Sequence, residues 1–192
     1  EKNAADRVRF VAPEIAFALS FENTAGAITN AIADGSAPLR VSHNDTKLNN
    51  VLFDSKTNKG ICLIDLDTVM SGSYLYDFGD AMRFGASSAA EDCTDLDKVY
   101  FDLSLFEAFT KGYLESAKDV LTDREKELLF TSVILMTYEC GTRFLTDYID
   151  GDVYFKTAYA SHNLDRARNQ YALVKDMVAK RTEAEAIVKK HL

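Results

Sequence analysis

The sequence contains few cysteines, and their spacing fits neither a disulfide framework nor a zinc site. Its three cysteines, Cys62, Cys93 and Cys140, are odd in number and widely spaced, and no C-x-x-C pair occurs. This pattern excludes a disulfide-rich secreted domain and a structural zinc site of ordinary spacing. We interpret the three as reduced thiols of a cytoplasmic protein, with Cys62 in a core strand. No apolar run approaches the roughly 20 residues that span a bilayer, so no membrane segment is expected.

Positive charge is also scarce, since 22 Lys and Arg stand against 30 Asp and Glu, for a formal net charge of −8. A protein that binds nucleic acid normally presents a basic face to the phosphate backbone, so this balance argues against nucleic acid as a partner. An acidic surface would suit a cationic aminoglycoside, but it would serve solubility equally well. Net charge therefore says little about a small-molecule substrate.

The chain does contain enough apolar material for one substantial core. Hydrophobic residues make up 47% and aromatic residues 11% of its 192 residues. This composition suits a folded globular domain and not a disordered chain. No internal repeat or low-complexity linker divides the sequence, so residues 1–192 are predicted to form a single domain.

Five polar residues stand at a spacing that suits phosphoryl transfer. Residues 43–50 have the pattern H-x-D-x-K-x-x-N, and Asp65 ends the apolar run that follows. Asp45 is the candidate base for an acceptor hydroxyl, and Lys47 can reach the transferred phosphoryl group as a point cation. Asn50 and Asp65 offer the hard oxygen atoms that Mg²⁺ prefers, whereas His43 is expected to brace the loop. The full set predicts a kinase-type phosphotransferase site.

A β-hairpin is expected to bring the two metal ligands together. Residues 51–53 and 61–64 are short apolar runs, and residues 54–60 between them are polar and rich in turn formers. Asn50 would then stand at the start of one strand and Asp65 at the end of its partner. Both ligands are therefore predicted to lie on the same rim of the hairpin.

These residues resemble the catalytic loop and metal-binding motif of the aminoglycoside phosphotransferase and choline kinase family. Residues 41–52 are similar to the catalytic loop of that family, residues 64–67 to its I-D-x-D motif, and residues 76–80 to the acidic segment that follows. The resemblance implies a protein-kinase-like fold, ATP as phosphoryl donor and Mg²⁺ as cofactor. It also implies that Asp77 supports the catalytic loop, although Asp77 would serve equally well as the cap of a helix beginning near Gly79.

A narrower resemblance is to the N-acetylhexosamine 1-kinases, which phosphorylate the anomeric hydroxyl of N-acetylglucosamine or N-acetylgalactosamine. The stretches that carry it are residues 43–50, 65–70, 143–148 and 151–156. It implies the candidate sugar contacts Asp67, Thr68, Arg143 and Asp147. An aminoglycoside, choline or another amino alcohol remains open as the acceptor, and a sugar-binding pseudokinase without turnover is a further alternative.

One part of the family pattern is absent from the sequence. The nine glycines form no G-x-G-x-x-G loop, and no V-A-I-K-like strand carries a phosphate-positioning lysine. The family keeps both in an N-terminal lobe, and only 42 residues precede His43. We therefore expect the C-terminal catalytic lobe of a longer kinase, inactive without its N-terminal lobe. An exposed apolar rim is expected where that lobe docks, and such a rim could also support a homodimer.

The rest of the chain is predicted to be helical, so the fold is mainly α with one small β-hairpin. The expected helices are residues 5–22, 24–33, 77–84, 97–116, 122–148 and 157–189, and residues 70–76 are expected to form a loop. Pro13 either kinks the first helix or starts its second part. Thr122 and Glu125 form a capping box, and Gly141 marks either a close helix approach or a break.

Three charged residues would share one face late in the helix predicted at residues 122–148. Glu139, Arg143 and Asp147 are four residues apart, which favours a ladder of ion pairs worth about 0.2–0.5 kcal/mol each. The alternative is a polar patch that faces the cleft and binds sugar hydroxyls. The residues alone leave both interpretations open for Arg143 and favour the ion pair for Glu139.

Overall fold

A computed structural model describes residues 5–192. Its α-helices are α1 (Ala12–Ser20), α2 (Glu22–Ala25), α3 (Ala27–Ala33), α4 (Tyr74–Gly85), α5 (Leu103–Ala117), α6 (Asp123–Asp150), α7 (His162–Ala179) and α8 (Arg181–His191). The strands are β1 (Arg40–Ser42), β2 (Val51–Phe53), β3 (Gly60–Leu63) and β4 (Met70–Gly72). The described part of the chain is therefore mainly α-helical, as the sequence predicts. None of these helices is long and apolar enough to cross a bilayer.

The strands form two separate antiparallel pairs. The predicted hairpin is confirmed as β2 and β3, with Val51 opposite Leu63. A second pair, β1 and β4, was not predicted, and it places Val41 opposite Ser71. The expected loop at residues 70–76 is therefore wrong, because strands of three residues are too short to show an alternating pattern. Cys62 lies on β3 as expected, but it is exposed and not in the core.

The long helix α6 organises the rest of the molecule. Its predicted capping box is confirmed, since the Glu125 backbone N–H donates to Thr122 Oγ1 at 3.1 Å and the Thr122 backbone N–H donates to Glu125 Oε2 at 2.8 Å. The helix runs through Gly141 without a break. A Cβ atom at Gly141 would lie 2.9 Å from the ring of Tyr171 on α7. Gly141 thus allows the close helix approach that was one of its two predicted roles.

Helix α6 spans both hydrophobic clusters of the described chain and packs against α4 and α7. The larger cluster is centred on buried aromatic side chains such as Phe106 and Phe130, whose ring centroids are 5.4 Å apart. The smaller cluster contains Phe144. Near its N-terminal end, α6 is joined to β1 by an ion pair between Arg40 and the fully buried Glu125. Helix α6 therefore contributes to both hydrophobic clusters and is also joined to strand β1.

Several helices begin or end at residues other than those predicted, and in two cases a capping residue accounts for the difference. Helix α4 begins before residue 77, because Ser73 is its N-cap and accepts the Leu75 N–H at 3.2 Å. Helix α5 begins after residue 97, because Asp102 caps it. The single helix predicted at residues 157–189 is instead two helices that begin at His162 and Arg181, with a break at Lys180. Pro13 lies in the first turn of α1, so it starts that helix and does not kink it.

Candidate functional site

Three of the predicted site residues converge on the loop between β1 and β2. Residues Leu48–Asn50 form a single 3₁₀ turn, which folds Asn50 back so that its Nδ2 donates to Asp45 Oδ2 at 2.8 Å. The ammonium group of Lys47 lies 3.2 Å from the same oxygen. Asp45 is about three-quarters buried and faces a cleft. The candidate base is thus held by a cation and an amide on one side of its carboxylate.

The carboxylate of Asp77 braces this loop from helix α4. Its Oδ2 accepts the backbone N–H of His43 and its Oδ1 accepts that of Asn44, each at 2.8 Å. The hydroxyl of Thr46 donates to the Asp77 carbonyl at 2.6 Å. Because Ser73 already caps α4, the structure favours the supporting role of Asp77 over the capping role.

A second set of contacts ties the loop to the segment before β4. The Thr68 hydroxyl donates to the His43 carbonyl at 2.7 Å, and Asn44 Nδ2 donates to the Thr68 carbonyl at 3.0 Å. Asn44 has a left-handed φ of 62°. A Cβ atom at Gly72 would lie 2.7 Å from Asn44 Oδ1, so any larger residue here would displace the Asn44 side chain. Thr68, a predicted sugar contact, is thus engaged in holding the loop.

The two predicted metal ligands are brought close by backbone pairing. The Ile64 N–H donates to the Asn50 carbonyl at 2.9 Å, and Asp65 follows directly with a left-handed φ of 63°. Among residues 5–192, no hydrogen bond occupies the Asn50 amide oxygen or the Asp65 carboxylate. Mg²⁺ commonly takes one or two protein oxygens and completes its shell with phosphate and water. The donor atoms of Asn50 and Asp65 fit that requirement.

The cleft beside Asp45 is a cavity of about 450 Å³ between the catalytic loop and helices α4, α6 and α7. Its lining includes Asp45, Lys47 and Arg143, so the structure brings one predicted sugar contact to the candidate base. Asp67 is exposed on the turn after Asp65, outside this lining. The cleft therefore places Arg143, and not Asp67, within reach of an acceptor bound at Asp45.

Arg143 has both an ion-pair and an aromatic environment. Its Nε lies 3.7 Å from Glu139 Oε1, and both side chains are about half exposed. The guanidinium also lies over the rings of Tyr154, at 5.7 Å, and Phe155, at 5.5 Å. Burial raises the pKa of the Glu139 carboxyl, and Arg143 opposes that shift. Of the predicted ladder, only the pair between Glu139 and Arg143 forms, as a long ion pair. Arg143 also lines the cleft.

Asp147 does not continue the ladder, because its carboxylate is buried and used elsewhere. Its Oδ1 accepts the backbone N–H groups of Val153 and Tyr154, at 2.9 and 2.8 Å. Its Oδ2 accepts the Phe155 N–H at 3.0 Å and Asn163 Nδ2 at 2.8 Å. Asp147 therefore shapes the segment that carries the aromatic wall of the cleft.

Sequence reasoning missed a buried charge cluster in the same cleft. Arg83 of α4 lies 3.0 Å from Asp80 and 2.7 Å from Glu91. Burial disfavours the charged guanidinium, but the neighbouring Cys140, Asp80 and Glu91 together hold the pKa of Arg83 above its usual range. Burial raises the pKa of the Cys140 thiol to about 12, which Arg83 opposes and the surrounding carboxylates reinforce. Asp80 and Arg83 are three positions apart on α4, but Glu91 and Cys140 come from other segments, so the cluster as a whole forms no local motif.

A carboxylate held beside a lysine and an amide on a braced loop is an arrangement that phosphotransferases use. The family model described as phosphotransferase enzyme family (APH) matches residues 5–117, which is more than half of the chain. The chain belongs to this family, and the resemblance to the aminoglycoside phosphotransferases is confirmed at that level. The matched range contains the catalytic loop, Asp65 and Asp77.

Proposed function

We propose that this chain is the catalytic lobe of a kinase that transfers the γ-phosphoryl group of ATP to the anomeric hydroxyl of an N-acetylhexosamine. The single observation that supports the reaction is the convergence of Lys47 and Asn50 on the carboxylate of Asp45, which lines the cleft. The sugar is suggested by the sequence resemblance around residues 143–156.

Asp45 is the base in this proposal. An acceptor hydroxyl in the cleft would donate its proton to the Asp45 carboxylate while its oxygen bonds to the γ-phosphorus and ADP leaves. A base must lie within hydrogen-bond reach of that proton, and Asp45 lines the cleft where the acceptor would bind. Lys47 lies 3.2 Å from the Asp45 carboxylate, where its charge offsets that of the transferred phosphoryl group.

Asn50 and Asp65 would hold Mg²⁺, with their oxygen atoms as the protein ligands. When bound, the ion supplies positive charge that shields the triphosphate. The contact between the Ile64 N–H and the Asn50 carbonyl keeps the two ligands near each other. In this proposal the chain contributes the backbone pairing that keeps residues 50 and 65 at the same end of the hairpin.

The acceptor would lie against the wall that Arg143, Tyr154 and Phe155 form. An aromatic face packs against the apolar face of a sugar ring, and a guanidinium donates to its hydroxyl or acetamido oxygens. In this proposal Asp147 acts through the backbone of residues 153–155, and Thr68 through the catalytic loop. Asp67 would contact the acceptor only if the acceptor extended beyond the cleft.

A second lobe that supplies the nucleotide clamp is part of the proposal. Large apolar side chains of both strand pairs are exposed, including Val41, Leu52, Ile61, Leu63 and Met70. Such a surface is the kind that a neighbouring lobe or a second copy covers. We therefore expect residues 1–192 alone to show no turnover, and assays of activity use the full-length protein.

The test measures ATP consumption by the full-length protein with N-acetylglucosamine and N-acetylgalactosamine, beside Asp45→Asn. We expect Mg²⁺-dependent formation of the sugar 1-phosphate and a loss of about 10²–10⁴-fold in the variant. Asp123→Asn, at a fully exposed position, is the matched control.

Full activity of Asp45→Asn would remove Asp45 as the base. Absence of transfer to either sugar would remove the N-acetylhexosamine, and aminoglycosides and amino alcohols would be screened next. Sugar binding without transfer to any acceptor would instead indicate a pseudokinase.

A further inference from the structure

The part of the cleft formed by α7 and the segment before it carries cations that have no carboxylate partner. Arg166 of α7 and Lys156 of the preceding segment both line the cavity that contains Asp45. No Asp or Glu of the described residues lies within ion-pair distance of either. Lys156 is exposed, whereas Arg166 is partly buried, and a partly buried guanidinium without a carboxylate requires an explanation.

Arg166 is held in place without being neutralised. Its Nη1 donates to the Lys156 carbonyl at 3.2 Å and contacts Asn163 Oδ1 at 3.4 Å. The guanidinium lies over the Phe144 ring, 5.3 Å from its centroid. The Nε atom of Arg166 is buried and has no hydrogen-bond partner in the described chain. A partly buried guanidinium in this state is stabilised by any ligand that brings an anionic oxygen to it.

The acidic side chains of the cleft do not cancel this charge. Asp80 and Glu91 are both engaged by Arg83, and Glu139 makes only the long contact to Arg143. Asp45 is engaged by Lys47. The cavity lining holds five cationic and four anionic side chains, so positive charge remains beside Arg166 and Lys156.

We propose that Arg166 and Lys156, with Arg143 beside them, form a subsite for an anionic group, a carboxylate or a phosphate, carried by the acceptor. The inference rests on the proposed function and narrows its substrate class to sugars that bear a negative charge away from the hydroxyl to be phosphorylated. A neutral N-acetylhexosamine leaves this subsite unfilled. A polycationic aminoglycoside meets repulsion there, in spite of the acidic net charge of the chain.

The test is a charge series of acceptors whose binding to the full-length protein is measured by calorimetry in the absence of ATP. The probes are glucosamine, N-acetylglucosamine, N-acetylglucosamine 6-phosphate and glucuronic acid. We expect the anionic probes to bind about tenfold or more tightly than N-acetylglucosamine, and glucosamine to bind most weakly. Comparison of the phosphate probe with the carboxylate probe shows which of the two anionic groups the subsite binds more tightly.

Arg166→Gln and Lys156→Gln should each reduce the ratio of anionic to neutral affinity severalfold, whereas Arg166→Lys should retain most of it. Lys111→Gln, at an exposed position of α5, is the control that leaves the ratio unchanged. Thermal melts by circular dichroism verify that each variant is folded.

An equal affinity for neutral and anionic probes, or a preference that survives both Gln substitutions, would overturn the subsite. Turnover of N-acetylglucosamine in that case would leave the proposed function standing. The converse result, a charge preference lost in Arg166→Gln without phosphoryl transfer to any probe, would support the subsite and refute a sugar as the phosphoryl acceptor.

Discussion

Asp77 Oδ1 accepts the backbone N–H of Asn44 at 2.8 Å, although 33 positions separate the two residues along the chain. Asn44 has a left-handed φ of 62° and directly precedes Asp45. An asparagine adopts this conformation more easily than most residues, but still at a cost. The Asp77 carboxylate therefore fixes a backbone conformation that sets the position of the candidate base.

Replacing Asp77 with Asn tests this relationship. The amide keeps the shape of the carboxylate but turns one acceptor into a donor that faces a backbone N–H. We expect kcat of the full-length protein to fall by about 10–100-fold with a smaller change in KM. Steady-state kinetics check this, with the exposed Asp123→Asn as control. An unchanged kcat in a folded Asp77→Asn protein would show that the brace is dispensable.

Asp147→Ala should destabilise the protein, because the buried carboxylate accepts four hydrogen bonds. Its loss leaves three backbone N–H groups of residues 153–155 without their acceptor. We expect the free energy of unfolding to fall by about 2–4 kcal/mol. Urea denaturation measures it, and Glu115→Ala at an exposed position of α5 is the comparison. Equal midpoints for the two variants would contradict this role of Asp147.

Two glycine substitutions should change stability in opposite directions. Gly141→Ala places a methyl group 2.9 Å from the Tyr171 ring, so overpacking between α6 and α7 should cost about 1–3 kcal/mol. Gly112→Ala adds a methyl group to open space on α5 and should gain about 0.5–1 kcal/mol from helix propensity. Thermal unfolding of both variants shows whether each substitution lowers or raises the free energy of unfolding. A stabilised Gly141→Ala would mean that the two helices separate at no cost.

The thiols should react with an alkylating agent in a defined order. Burial raises the pKa of Cys140 to about 12, so at pH 8 only about 1 in 10⁴ of its thiols is the reactive thiolate. Cys62 is exposed and should be labelled first. Because the pKa is raised, labelling of Cys140 should increase as the pH approaches 12. Mass spectrometry after timed iodoacetamide treatment follows each site, and Cys62→Ser should remove the fast phase. Rapid modification of Cys140 at pH 8 in the folded protein would contradict its burial.

The parts of the site that could be predicted from the sequence are those whose residues lie close together in the chain. The catalytic loop places Asp45, Lys47 and Asn50 within six positions, so a local motif carries their chemistry. The same is true of the capping box at Thr122 and Glu125. Each of these needs only local geometry to form, and the structure shows both.

The parts that could not be predicted depend on contacts between distant segments. Asp147 has the spacing of an ion-pair ladder, and only the fold of residues 151–156 turns its carboxylate away from Arg143. Arg166 and Arg83 line the cleft without any motif, because α7 and α4 are brought to it by packing against α6. Cys62 lies in an apolar run, a pattern that predicts burial, but the hairpin exposes the strand.

Helix α6 holds the two halves of the cleft by separate attachments, through Glu125 to β1 near one end and through Asp147 to residues 153–155 near the other. The two attachments share no residue. Under the proposed function, residues 151–156 could therefore change to suit another acceptor without altering the attachment of α6 to β1, and the long helix would keep the distance to Asp45 the same.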